Sequence, residues 1–124
     1  MLVNLHRIGF NRFTGNYYKE GMMLELQKEL DFKCLGSSFG SKTTDFPKFE
    51  LRSIVYHVGD ESQGHYLCAK KNWIDLGPGI KNDSKQNNYM QTNWTLISDS
   101  KSVYVKFEDL ASINYPCILV YQEI

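Results

Sequence analysis

The sequence predicts an α+β fold made mainly of antiparallel β-strands. Three observations carry that expectation. Aromatic residues make up 14% of the 124 residues, and aromatic side chains suit pleated, half-buried surfaces. Several short stretches alternate apolar and polar side chains at period two. Clusters of Gly, Asn, Asp and Ser, the residues that accept turn geometry, separate those stretches. The length argues for one domain or part of one.

Taken in order, Leu2, Val3 and Leu5 open an apolar stretch that closes at Phe10 and reads as a strand. Asn11, Thr14, Gly15 and Asn16 then mark a turn. Met22, Leu24 and Leu26 alternate with Met23, Glu25 and Gln27, but Met22, Leu26 and Leu30 also fit a helical stripe, so this segment stays open between strand and helix. Residues 36–44 have loop composition. Phe49 to Val58 is a strand, expected to be buried on both faces near Ile54 to Tyr56. The polar turn from Gly59 to Gly64 leads into a second strand, His65 to Ala69, and the two form a hairpin. Residues 77–93, rich in Asn, Gly, Lys and Gln, read as a surface insertion. Asn93 to Ile97 resumes a strand, Phe107 to Ala111 makes one or two helical turns, and Cys117 to Tyr121 is a final apolar strand entered through Pro116. No internal repeat or interdomain linker divides the chain.

Composition narrows the function. Lys plus Arg equals Asp plus Glu at 14 each, so the basic surplus that nucleic-acid binding by counterion release requires is missing. No apolar run approaches the roughly 20 residues of a membrane-spanning helix. Cys34, Cys68 and Cys117 form no CxxC pair, and an odd count without such spacing is a poor disulfide framework. Free thiols in a reducing, intracellular compartment are therefore expected. His6, His57 and His65 have no i,i+4 partner among themselves, and Gly77-Pro78-Gly79 lacks the form of a phosphate-binding loop. No metal and no cofactor are expected.

One motif suggests catalysis. Gly64-His65-Tyr66 stands where a polar turn enters a strand. The glycine would let another backbone approach the imidazole, and the tyrosine would wall the site; a purely structural histidine is the alternative. Cys68 lies three residues on, so an extended backbone puts it on the opposite face from His65. Cys117 reads as core, and Cys34 has no activating pattern. A base histidine is oriented by a further group. The candidates sit at the end of the strand from Trp94, where Ser98-Asp99-Ser100 either presents an acceptor or simply caps a turn.

These residues also resemble a known family. Phe49-Glu50-Leu51-Arg52-Ser53-Ile54-Val55-Tyr56-His57-Val58-Gly59, a loop, and Gly64-His65-Tyr66 resemble the catalytic-histidine block of ubiquitin-specific proteases, Y-x-L…V-x-H-x-G followed by G-H-Y. Trp94 to Ser100 resembles that family's W-x-x-F-[DN]-D-S, and Tyr115 to Glu123 resembles its terminal A-Y-x-L-F-Y-x-R strand. Leu2-Val3-Asn4-Leu5-His6-Arg7 is loosely similar to L-x-x-H-L-x-R-F, with a register slip.

The resemblance implies the palm-like, incomplete part of a papain-like cysteine protease, a deubiquitinase that cleaves after the C-terminal glycine of ubiquitin. His65 would be the general base, oriented by Ser98 with Asp99 as fallback. Gly59, Asp60, Gly64 and Tyr66 would border the channel for the ubiquitin tail, as would residues 36–46. Ser98 stands where the family usually has Asp or Asn, as in a small subgroup with Ser; a hydroxyl fixes the tautomer but adds no charge. The family's nucleophile block, G-x-x-C-[FY]-x-N-[SA], and its CxxC zinc pairs have no counterpart in these 124 residues. The implied partners are ubiquitin or a ubiquitinated protein and a cysteine-bearing N-terminal segment or chain. Alone, the chain is expected to be inactive and to associate or dissolve poorly. The alternative is a non-catalytic ubiquitin- or partner-binding remnant of the same fold.

Overall fold

The computed structural model describes residues 1–33, 46–72 and 94–124. The strands are β1 (Leu2–Asn4), β2 (Ile8–Asn11), β3 (Asn16–Lys19), β4 (Glu29–Asp31), β5 (Lys48–Gly59), β6 (Gly64–Lys71), β7 (Trp94–Ser98), β8 (Lys101–Val105) and β9 (Pro116–Glu123). One helix, α1 (Phe107–Ala111), lies between β8 and β9. Every pairing among the described residues is antiparallel. The main sheet runs β1-β9-β5-β6-β7-β8, with β4 added on β5; β2 and β3 form a separate two-stranded sheet.

β5 organises the sheet. β9 holds one of its edges from Phe49 to Tyr56. The other edge is shared: β4 pairs Lys48 to Glu50 and β6 pairs Ser53 to Gly59. Period-two alternation then sorts the side chains. Leu119, Ile54, Ala69 and Leu96 stand in one cross-strand row. Ile54, Tyr56 and Ala69 are fully buried there. Leu110 of α1 and Leu26, from the segment before β4, belong to the same core. Tyr56 Oη donates to the Leu110 carbonyl at 2.8 Å, fastening the helix to the sheet. The opposite face carries Ile118, Val55, Cys68 and Ile97 in a half-buried row.

The α+β, mainly antiparallel expectation holds, and so do the hairpin of β5 and β6, the strand from Trp94, the short helix and the last strand. Elsewhere the chain differs from the sequence reading. The opening stretch is two strands, because Arg7 turns the chain between them: its Nε donates to the Pro116 carbonyl at 3.1 Å and its Nη1 to the Met22 carbonyl at 2.6 Å. The turn closes at Gly15 (φ 71°), with Asn11 Oδ1 accepting the Phe13 N–H at 2.9 Å. Asn16 therefore begins a strand rather than ending the turn. Residues 22–28 are neither helix nor strand; Leu26 alone is buried, and the strand starts at Glu29. β8 has no counterpart in the reading, because Lys101 to Tyr104 are all exposed and show no buried side. The loop read at 36–44 and the insertion at 77–93 lie outside the described residues.

Candidate functional site

His65 and Ser98 come together. β6 and β7 pair with Ala69 opposite Leu96. His65 is four residues before Ala69 and Ser98 two after Leu96, so alternation sends both side chains to the core-bearing face. His65 Nε2 lies 3.0 Å from Ser98 Oγ. Burial on this face falls off toward the β5–β6 turn, from Tyr56 at 0% exposed to Val58 at 46%. Val58 is the cross-strand partner of His65. The imidazole is 44% exposed, so it stands beyond the core, open on one side, with an apolar shoulder next to it.

An unbroken strand would turn Asp99 away from the partner of Ser98, but the strand ends at Ser98. The β7–β8 loop is two residues long, since Ser98 pairs with Lys101, and Asp99 takes a left-handed φ of 51°. Asp tolerates that conformation better than most residues. The strand alternation ends there, and the carboxylate returns to the same nitrogen, with Oδ2 3.7 Å from His65 Nε2. Its 82% exposure leaves that charge strongly screened by solvent.

The residues flanking His65 serve the other face. Tyr66 is paired with His57, and the two rings lie 5.0 Å apart at 55°. The tyrosine therefore packs on His57 and does not wall the His65 imidazole. A Cβ on Gly64 would overlap the His57 ring. The glycine makes room for His57, where the sequence reading had it admitting a second backbone to His65. Gly64→Ala is thus expected to cost about 1–3 kcal/mol, the usual range for an overpacked site. Chemical denaturation of Gly64→Ala, His57→Ala and the double variant checks this: most of the cost should vanish when His57 is already Ala. An equal cost in both backgrounds would contradict the packing.

The β5–β6 turn is built by Asp60. Its Oδ1 accepts the N–H of Gln63 at 2.7 Å and both the N–H and hydroxyl of Ser62 at 2.9 Å. The Gln63 N–H above all, then the Ser62 hydroxyl and N–H, hold the Asp60 carboxyl below the usual carboxylate range. Gly59, before it, has φ 120° and no space for a Cβ against the Gln63 carbonyl. Gly59 and Asp60 thus shape the turn that leads to His65.

The two described thiols stand apart from the imidazole. Cys68 is opposite Ile97 on the reverse face, with Sγ 3.7 Å from Ser53 Oγ. Cys117 Sγ donates to the Val55 carbonyl at 3.3 Å, and burial pushes its thiol up from the ordinary range. Cys34 lies outside the described residues. Among the described residues, no three His, Cys, Asp or Glu side chains converge as a metal site requires, and no helix is long and apolar enough to cross a membrane.

Lys19 escaped the sequence reading. Its ammonium reaches the end of β5 from the β2–β3 hairpin, and no local pattern signals a contact between elements so far apart in the chain.

The family described as "Ubiquitin carboxyl-terminal hydrolase" matches residues 1–121. No curated protein matches the chain. Solved structures of similar fold include the yeast SAGA DUB module with an Sgf73 mutant (TM-score 0.69, 21% identity, 99% of this chain and 23% of that one). The SAGA DUB module of Ubp8, Sgf11, Sus1 and Sgf73 bound to monoubiquitin is similar at TM-score 0.68 and 22% identity, over 99% of this chain and 23% of that one. The same module bound to ubiquitin aldehyde gives 0.69 and 20%, over 99% and 24%. The present chain spans about a quarter of the length of those solved chains.

Proposed function

Because the chain belongs to the ubiquitin carboxyl-terminal hydrolase family, we propose that it supplies the histidine side of a thiol-dependent deubiquitinase site. His65 is the general base and Ser98 orients it. The observation that carries this reading is the 3.0 Å contact between His65 Nε2 and Ser98 Oγ on an imidazole that is still open to solvent. With Nε2 held by the hydroxyl, Nδ1 is the nitrogen left to face a thiol.

The chemistry follows from that assignment. In the neutral ring the proton sits on Nε2, donated to Ser98 Oγ, and Nδ1 accepts the proton of a cysteine brought by another segment or chain. The thiolate attacks the carbonyl carbon of the last glycine of ubiquitin, displacing the lysine amine bonded to it. The imidazolium returns the Nδ1 proton to the departing lysine amine, and the ring then activates the water that hydrolyses the thioester. Ser98 stabilises the tautomer without adding charge; the nearest negative charge is Asp99, 3.7 Å from the same nitrogen. A thiolate formed against an imidazolium depends less on a third charge than an alkoxide does. In this reading Gly59 and Asp60, in the turn leading into His65, border the ubiquitin tail, while Gly64 and Tyr66 lie against the His57 ring. The partners are ubiquitin or a ubiquitinated protein and the cysteine-bearing segment. The setting is a reducing, intracellular one, in keeping with the free thiols Cys68 and Cys117.

The test is assembly. The chain is mixed with a cysteine-bearing segment of such a protease and treated with a ubiquitin suicide probe. A covalent adduct is expected, together with turnover of a fluorogenic ubiquitin substrate that falls about 10²-fold in Ser98→Ala, within the range of acid–base contributions, and is retained in Ser98→Asn. Complex formation without adduct would sink the catalytic reading. The neutral third position favours a second reading, a ubiquitin-binding domain without turnover. That reading requires labelled ubiquitin to bind equally to the parent chain and His65→Ala, with no activity in either.

A further inference from the structure

β9 begins at Pro116, opposite Tyr56, so the last residues of β5 extend past their strand neighbour on that side. Backbone groups left at such an edge need other partners. The His57 N–H finds the Tyr115 carbonyl at 3.1 Å. The carbonyls of His57 and Gly59, two residues apart and so directed to the same side, are both taken by Lys19: Nζ lies 3.0 Å from the first and 2.6 Å from the second. The ammonium also stands 4.0 Å from the centroid of the Tyr115 ring. A half-buried lysine with two charge-assisted bonds and an aromatic face is held far more firmly than a surface lysine. It belongs to β3, paired with Ile8 of β2. The hairpin is thereby tied to the root of the turn that carries Asp60, Gly64 and His65.

We propose that Lys19 is a positioning residue for His65. By holding the His57 and Gly59 carbonyls it fixes the angle at which the β5–β6 turn leaves the sheet, and so the orientation in which β6 presents the imidazole to Ser98 and to the incoming thiol. Small displacements of a catalytic group carry large rate costs, which is why a residue remote from the chemistry matters here. The catalytic consequence rests on the deubiquitinase reading above; the structural coupling does not.

Two readouts separate them. In the 124-residue chain, amide hydrogen exchange is compared for the parent, Lys19→Met and Lys19→Arg. The Met variant keeps the aliphatic stem and loses the donors. Exchange at Asp60, whose N–H donates to the Gln63 carbonyl at 2.9 Å, should rise about tenfold, amides in β7 and β8 should not change, and Arg should restore protection. In the assembled protease, Lys19→Met should lower kcat about tenfold with KM within about twofold, and Arg should recover most of it. Unchanged exchange at the turn, a uniform rise across all strands, or a kcat loss that Arg leaves unrepaired would overturn the proposal. A parent assembly with no turnover would instead overturn the deubiquitinase reading, leaving the exchange result to decide the role of Lys19.

Discussion

His65→Ala is expected to lower ubiquitin hydrolysis by about 10⁴-fold in a protease assembled from this chain and a cysteine-bearing segment, the upper end of what a positioned acid–base group contributes. In the proposed mechanism the ring removed carries the proton in both directions, from thiol to imidazole and from imidazole to the departing amine, so no neighbouring residue substitutes for it. Asp99 is close to Nε2 but on the side away from Nδ1, and its carboxylate is largely in water. The fold should be indifferent to the change. His65 is 44% exposed and outside the buried core, which places the substitution among surface changes costing less than about 1 kcal/mol. Steady-state hydrolysis together with a denaturation curve checks both halves. Loss of activity accompanied by loss of folding, or activity within tenfold of the parent, would contradict the assignment.

The largest effect on stability should come from Ile54→Ala. Ile54 is 0% exposed and stands opposite Ala69 on one side and Leu119 on the other. Truncation removes three carbon atoms from the middle of a row whose neighbours are fixed by two hydrogen-bonded ladders. The sheet cannot close around the gap without breaking register, so the cost should fall at about 2–5 kcal/mol, the range for large-to-small changes that leave a cavity. Val103, at the far end of the same row on β8 and 55% exposed, is the internal control: Val103→Ala should cost less than about 1 kcal/mol. Urea midpoints at equal m-values read both, and similar costs at the two positions would contradict a core that contains Ile54 and leaves Val103 outside it.

Legibility from sequence followed burial. β5, β6, β7 and β9 meet the core, so their alternation or apolar runs show in the residues themselves. β8 pairs with β7 and exposes Lys101 to Tyr104, touching the core only through Val105, and β3 lies in a small separate hairpin; neither needs a sustained apolar pattern, and the sequence shows none. Strand parity in the sequence turns Cys68 away from His65; that Ser98 meets His65 depends on the register of β6 against β7, which no local pattern carries and only the family resemblance suggested. Parity failed where backbone leaves ideal strand geometry. The φ of 51° at Asp99 brings a carboxylate back to Nε2, against the alternation expected of an unbroken strand. Gly64 reads in the sequence as admitting a second backbone to His65, but the group that takes the space is His57, seven positions earlier across the ladder. Lys19 could not be read at all, since its two acceptors are backbone carbonyls, which carry no residue signature.

Because His65 and Ser98 sit on adjacent strands of one ladder, the gap between them is governed by interstrand spacing, about 4.8 Å, and by register. A reporter domain grafted between Lys71 and Trp94 is accordingly expected to leave that separation unchanged, because the register of β6 on β7 fixes it.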